Sequence, residues 1–308
     1  MKLNQLRDVL AVSEAGSLRA AARHLGVAQP ALTRSINLLE RELGAALFER
    51  QARGMRLTTI GEHFVRRANA VRSELRRARE EIEQLRGDTR GSVAVCMSSV
   101  PHIALLPYAM GPFRARFPQI HLDVMEGVFP MVESALREGT LDCYVGPLRG
   151  EPDVEDLVAE KLFENTRVIL GRKNHPLAKA RSLKELVGAE WVTTSITRRA
   201  EDELVPMFHQ YGLPEPRIVM QVHSALTSIV AVTSSDMLMM MPVQWTEFAL
   251  TRDALHKFDL KETLSAPPIC IVRRASMPLT PAAEYFCDML RRAAAHLHPV
   301  KPKKARKG

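Results

Sequence analysis

The 308-residue sequence lacks most of the signatures on which catalysis, metal binding and secretion depend. Its four cysteines, Cys96, Cys143, Cys270 and Cys287, form no CxxC pair, and three of them sit in apolar strand-like runs. They read as buried thiols in a reducing compartment rather than as a redox or metal site. No HExxH, no His/Cys ligand spacing, no Walker loop and no GxSxG occurs, so hydrolase, phosphotransferase and zinc chemistry have no support, and neither a metal nor a cofactor is expected. No basic leader with an apolar core opens the chain. The richest apolar run, MLMMMPV from Met237, is far too short to cross a bilayer. A cytoplasmic protein with no membrane partner is expected.

Positive charge is scarce in the middle of the chain and concentrated at its ends. Residues 1–90 hold 17 Lys and Arg against 11 Asp and Glu, and the tail KPKKARKG (301–308) adds five more cations, while the remainder is slightly acidic. A basic head on a near-neutral body suits a polyanion-binding module joined to a domain with another task. The tail is expected to be a disordered, solvated run.

The most informative stretch is residues 17–43, SLRAAARHLGVAQPALTRSINLLEREL. Ser17 is an N-cap, Leu18, Ala21, Ala22 and Leu25 make one apolar stripe, and Gly26 ends the helix. A second helix follows, with Pro30 in its first turn and Leu32, Ile36, Leu39 and Leu43 on the buried side. Its opposite face carries Gln29, Thr33, Arg34 and Asn37, donors suited to base edges and phosphates. With an upstream helix built on Leu3, Leu6, Val9 and Leu10 and closed by Gly16, this is a helix-turn-helix pattern. From Leu47 to Thr58, Arg50, Arg53 and Arg56 flank a glycine between Leu47, Phe48, Met55 and Leu57, which reads as a two-stranded wing with arginines for the phosphate backbone.

Thr59 and Glu62 make a capping-box pattern opening a long helix. Phe64, Ala68, Val71, Leu75, Ala78, Ile82 and Leu85 repeat along it as a heptad seam. A 3.5-residue period asks for a partner helix, so Phe64, Val71, Leu75 and Ile82 are candidate dimerisation residues. At 1.5 Å per residue the helix spans about 40 Å, enough to separate two heads by neighbouring half-sites about 34 Å apart. RGDTRGS (86–92) breaks it, and beyond lie apolar strands alternating with helices, the pattern of an α/β sheet. Strands are expected at Val93–Met97, Ile120–Met125, Leu141–Val145, near Val168, Trp191, Ile218 and Met239, and at Ile269–Val272. Helices are expected at Pro107–Phe117, Met131–Glu138, near Leu183, Glu203, Ala225 and Thr246, and at Thr280–Leu297.

Residues Ala20–Arg50, AAARHLGVAQPALTRSINLLERELGAALFER, and Arg56–Glu62, RLTTIGE, closely resemble the start of LysR-type transcriptional regulators. FRARFPQIHL at Phe113, LREGTLDCYVG at Leu136 and NHPLA at Asn174 resemble the family's effector domain, in the family's order. Two positions depart from the commonest pattern. Ala28 stands where a Ser or Thr usually caps the recognition helix, leaving the cap to Gln29 or water, and Thr59 stands where Pro is usual. The resemblance implies an α/β chain with a winged helix-turn-helix (1–58), a coiled-coil linker helix for dimerisation (59–86) and a two-lobed, periplasmic-binding-protein-like effector domain (91–300). Lobe one would be 91–162 with 268–300 and lobe two 163–267, crossed by strands near Phe163–Leu170 and Pro267–Val272. Implied partners are promoter DNA, a small-molecule effector, RNA polymerase and further copies of the chain, as a homodimer or homotetramer acting as an activator. Within the family the sequence is similar to regulators of toluenesulfonate or sugar uptake and catabolism.

Gln29, Pro30, Thr33, Arg34, Asn37, Arg50 and Arg53 are the expected DNA contacts. In open α/β sheets ligands bind at the carboxyl ends of strands. The strand-to-helix steps there carry Ser98 and Ser99, Gly127 to Phe129, Thr194 and Ser195, and His223 and Ser224. Hydroxyls and helix N-termini favour a small organic anion, and Phe129 an apolar body beside it. Two other readings are an α/β enzyme tethered to DNA, for which His223 finds no carboxylate partner in the sequence, and a ligand-independent architectural protein.

Overall fold

The computed structural model describes residues 1–51, 54–129, 131–150, 156–194 and 201–297. The chain divides into two compact units, Met1–Asp88 with Ser134–Leu141, and Thr89–Glu133 with Asp142–Gly308.

In the first unit, helices α1 (Leu3–Ala15), α2 (Leu18–Leu25) and α3 (Gln29–Leu43) precede a ribbon of β1 (Phe48–Gln51) and β2 (Gly54–Leu57) and the helix α4 (Thr59–Leu85). Ser17 caps α2 by accepting the Ala20 N–H at 3.2 Å, whereas Ala28 heads α3 with no side-chain cap. Leu32, Ile36 and Leu39 are buried against Val9, Val12, Ala21 and Ala22. Leu43, expected on the same stripe, is 41% exposed, because the helix ends beside it at Gly44.

The ribbon is fastened at both ends. One carboxylate oxygen of Glu40 accepts the N–H groups of Leu47 at 2.7 Å and Phe48 at 3.2 Å, fixing β1 to the end of α3. The Met55 N–H donates to the Gly16 carbonyl at 2.8 Å, and a Cβ at Gly54 would stand 2.4 Å from that oxygen, so only glycine fits. The cap of α4 is Thr58 and not the expected Thr59: its hydroxyl accepts the Gly61 N–H at 2.9 Å and donates to the Ala46 carbonyl at 2.7 Å. Two adjacent threonines make these registers indistinguishable by pattern; the bond to Ala46 selects the first.

The heptad seam of α4 splits. Ala68 is buried, and Phe64 half-buried, against Leu6 and Leu10 of α1, so Phe64 serves the head's own core. Val71, Leu75, Ile82 and Leu85 are 41%, 51%, 59% and 73% exposed. On another face of α4, buried Arg77 donates to the main-chain carbonyls of Gly139 at 3.2 Å and Leu141 at 3.0 Å, which is why Ser134–Leu141 counts with this unit. Helix α7 (Glu133–Arg137), expected over Met131–Glu138, falls largely in that segment.

The second unit begins with β3 (Arg90–Met97), α5 (Ser99–Ala104), α6 (Leu106–Arg116) and β4 (Gln119–Glu126), followed by β5 (Cys143–Pro147), β6 (Leu157–Arg172) and β7 (Glu190–Thr194). It continues with α8 (Glu201–Gln210), β8 (Arg217–Val222), α9 (Ala225–Thr233), β9 (Met239–Pro242), β10 (Leu255–Lys257), β11 (Leu264–Arg274) and α10 (Pro281–Leu297). The segments near Leu183 and Thr246 are single 3-10 turns, Leu183–Leu186 and Val243–Thr246, too short to propagate as α-helix.

Strand order is β10-β6-β11-β5-β3-β4, with β9 also on β6, and β7 and β8 form a parallel pair. Val192 donates to the Leu238 carbonyl at 2.9 Å and Leu238 to that of Glu190 at 2.8 Å, which joins β7 to the residue before β9. The long strands β6 and β11 cross from one core to another. Phe163 and Ile269 lie in a core with Val93, Val95, Met97, Phe113 and Phe286, while Ile169 and Leu264 lie in a core with Leu183, Trp191 and Phe208. The β6/β11 register slips between Ala266 and Cys270, where Pro267 and Pro268 interrupt the ladder. This is a two-lobed sheet with two crossover strands. Phe163, expected in lobe two, packs in lobe one, so the crossing falls between Phe163 and Ile169.

Candidate nucleic-acid interface and effector site

On α3, Gln29, Pro30, Arg34 and Asn37 are exposed and Thr33 half-exposed, and all five line one surface concavity together with Leu38 and Arg41. The buried stripe anchors the helix, so this face is presented as the sequence pattern requires. The Thr33 hydroxyl donates to the Gln29 carbonyl at 3.0 Å, leaving its lone pairs and methyl for an outside partner. Arg50 is exposed on β1 and pairs across the ribbon with Met55; Arg56 is exposed and pairs with Glu49, which puts the two arginines on opposite faces. Arg53 lies outside the described residues.

In the second unit, β3 delivers Ser98 to the start of α5. Ser98 is 4% exposed; its N–H donates to the Val145 carbonyl at 2.9 Å, and its hydroxyl has no hydrogen-bond partner among the described residues. Pro101 has no N–H, so the open amides of this first turn are those of Ser99 and Val100. A Cβ at Gly146 would stand 2.3 Å from the Tyr144 hydroxyl and 3.0 Å from Ser98 Cβ, so Tyr144 and Ser98 pack closely against this glycine. The Phe129 ring lies on Tyr144 at 6.1 Å between centroids. Burial holds the Tyr144 phenol well above its ordinary range, so it stays a neutral donor, and it donates to the Pro147 carbonyl at 3.2 Å.

Gly127 is held by its own packing. Its N–H donates to the Met97 carbonyl at 3.2 Å, and a Cβ there would meet the Cys96 sulfur at 2.7 Å, so the glycine answers to Cys96. Burial pushes the Cys96 thiol up to about 11, aided by the charge of Glu126, which makes it a poor nucleophile. Among the described residues no group of His, Cys, Asp and Glu is arranged to hold a metal ion.

From lobe two, Thr194 ends β7 but its side chain, like all of Ser195, lies outside the described residues. Its neighbour Thr193 is buried, with a hydroxyl that has no partner among the described residues. Ser224 precedes α9 without capping it, and His223 beside it is exposed.

Three groups escaped the sequence reading. The His102 ring donates through Nδ1 to the Ser98 carbonyl at 2.9 Å, which fixes the orientation of the ring; an i, i+4 relation to Ser98 is its sequence signal. Both amide atoms of Gln244 and the Trp245 indole nitrogen are buried without partners among the described residues, on a 3-10 turn that packs against α5. Nothing in the local pattern marks them.

A three-helix head with a wing, a long helix with an exposed apolar seam, and a two-lobed α/β domain define the architecture of a DNA-binding regulator carrying its own effector domain. Comparison with known proteins agrees. Residues 3–62 match the bacterial regulatory helix-turn-helix protein of the lysR family and residues 86–295 match the LysR substrate binding domain, so the chain belongs to the LysR family of transcriptional regulators. It is 28% identical over 282 residues to the HTH-type transcriptional regulator GalR of Pseudomonas putida, covering 91% of this chain and 70% of GalR. With GbpR of Azospirillum brasilense the identity is 24% over 297 residues, covering 96% and 87%. The fold is similar to that of CbnR, a LysR family transcriptional regulator, with a TM-score of 0.68 at 22% identity over 96% of this chain and 99% of CbnR. Full-length CbnR complexed with its target DNA gives 0.69, also at 22%, over 95% and 100%. These relatives are regulators and not enzymes, and no helix among the described residues is long and apolar enough to cross a membrane.

Proposed function

We propose that this regulator is switched by a small organic anion, a carboxylate or sulfonate, held beside Ser98 between the two lobes. The observation that carries the reading is the Ser98 hydroxyl, nearly fully buried and without a partner among the described residues. The amides of Ser99 and Val100 supply donors for an anionic group, and Phe129 and Tyr144 supply an apolar wall. Thr194, Ser195, His223 and Ser224 complete the set from lobe two. An anion that fits one lobe closure better than another moves the equilibrium by its difference in affinity.

On DNA, Gln29, Arg34 and Asn37 read bases in the major groove, Pro30 and Thr33 pack beside them, and Arg50 and Arg53 hold phosphates. The likeness to CbnR, crystallised with its target DNA, supports this assignment. Val71, Leu75 and Ile82 form the seam between two copies, in a homodimer or homotetramer whose promoter binding or activation of RNA polymerase the effector alters.

Thermal shift of the full-length protein against a panel of carboxylates and sulfonates tests the effector assignment, because a ligand of the folded state stabilises it above its Kd. The expected result is a rise in Tm with a few related anions that is weakened by Ser98→Ala. A panel without effect, or a Ser98→Ala variant that responds like the wild type, refutes it.

A further inference from the structure

We propose that Leu38 is a specificity residue that reads the 5-methyl group of a thymine in the major groove. The inference rests on α3 being the recognition helix. Leu38 neighbours Leu39, which is fully buried, yet is itself 51% exposed and packs in neither of the cores formed by the described residues of the head. It shares one surface concavity with Thr33, Arg34, Asn37 and Arg41. Arg34 lies four residues before it and Arg41 three residues after, so on a helix the three stand on one ridge with the leucine between the guanidinium groups. Among the described residues neither arginine side chain has an ion-pair or hydrogen-bond partner.

An apolar side chain set between two uncompensated cations fits a surface that is anionic and carries an isolated apolar group. Major-groove DNA is such a surface: phosphates and guanine edges take the arginines, and the thymine methyl is the one apolar group on any base-pair edge. A polar residue at position 38 would be indifferent to that methyl, whereas leucine gains by covering it. Removing one methyl-sized contact changes affinity by about fourfold, the factor that burial of one such group provides.

The test uses full-length protein and the duplex site it selects from a random-sequence library. Each thymine of that site is replaced singly by deoxyuridine, which deletes only the 5-methyl group, and binding is measured by fluorescence anisotropy. At one thymine per half-site, deoxyuridine should weaken wild-type binding about fourfold. Leu38→Ala should bind the thymine and deoxyuridine duplexes equally, Leu38→Met should keep the preference, and Arg34→Ala should keep it while binding both more weakly. Leu38→Ala removes an exposed side chain, and an unchanged circular dichroism melting curve verifies its fold. No deoxyuridine effect at any thymine, or an effect that survives in Leu38→Ala, overturns the assignment. Failure to select any site instead refutes the reading of α3 as a recognition helix, and the proposal with it.

Discussion

Replacing Glu40 by Ala should loosen the wing from the helix-turn-helix. One oxygen of Glu40 accepts two main-chain N–H groups, from Leu47 at 2.7 Å and Phe48 at 3.2 Å, and both residues are buried through their side chains. Hydrogen bonds to a charged acceptor contribute about 1.5–3 kcal/mol each. Two sharing one oxygen do not add fully, so the loss should be about 2–3 kcal/mol, beyond the roughly 0.5 kcal/mol of an ordinary surface change. For a head of this size that is a fall of about 10–20 °C in its unfolding midpoint. Glu40→Gln keeps a neutral acceptor and should lose about half as much. The assay is urea denaturation of the full-length variants followed by circular dichroism, beside anisotropy on the selected duplex. A wing no longer held by α3 should weaken binding to specific and random DNA alike, because its arginine contacts are with phosphates. A Glu40→Ala protein within about 0.5 kcal/mol of wild type, with unchanged DNA affinity, would refute this account of what sets the wing.

Arg34→Ala should cost about 1–3 kcal/mol on the selected site and blur its base preference, whereas Arg50→Ala should weaken all sequences alike and flatten the salt dependence; equal losses on specific and random DNA for Arg34→Ala would count against it as a base reader. Leu75→Asp should give monomers in sedimentation and lose tight DNA binding, because two carboxylates would face each other in an apolar seam; a variant that stays dimeric with full affinity would move the interface off α4. Folding keeps the Cys96 thiol protonated, with its value raised from 9.0 to about 11, so its contribution to stability is complete below pH 9 and is lost as pH rises through 11. The drop in urea stability over that window should be smaller for Cys96→Ala than for wild type, and equal slopes would contradict the assignment.

Much of the head was legible because its signals are local. Ser17 and Gly26 delimit α2, Pro30 marks the first turn of α3, and the spacing of Val71, Leu75 and Ile82 gives the period of α4. Other features depend on partners distant in sequence. A heptad position does not reveal whether it meets a second chain or its own, so Phe64 and Leu75 look alike until α1 is seen to cover the first. Gly127 reads only as part of a strand-to-helix step, and its need to be glycine becomes visible when Cys96 is found beneath it. Gln244 and Trp245 sit in an unremarkable run after a proline, and only the packing of their turn on α5 draws attention to their polar atoms.

The measurement that bears most directly on the central claim is footprinting of full-length protein on its selected duplex, with and without the anion that raises its Tm. The account predicts that this anion alters the protected region or its occupancy for wild-type protein, and that Ser98→Ala leaves the footprint without anion intact while needing roughly tenfold more anion for the change, as for one lost hydrogen bond to a charged group. A footprint that no stabilising anion alters, or one altered equally in wild type and Ser98→Ala, would contradict it.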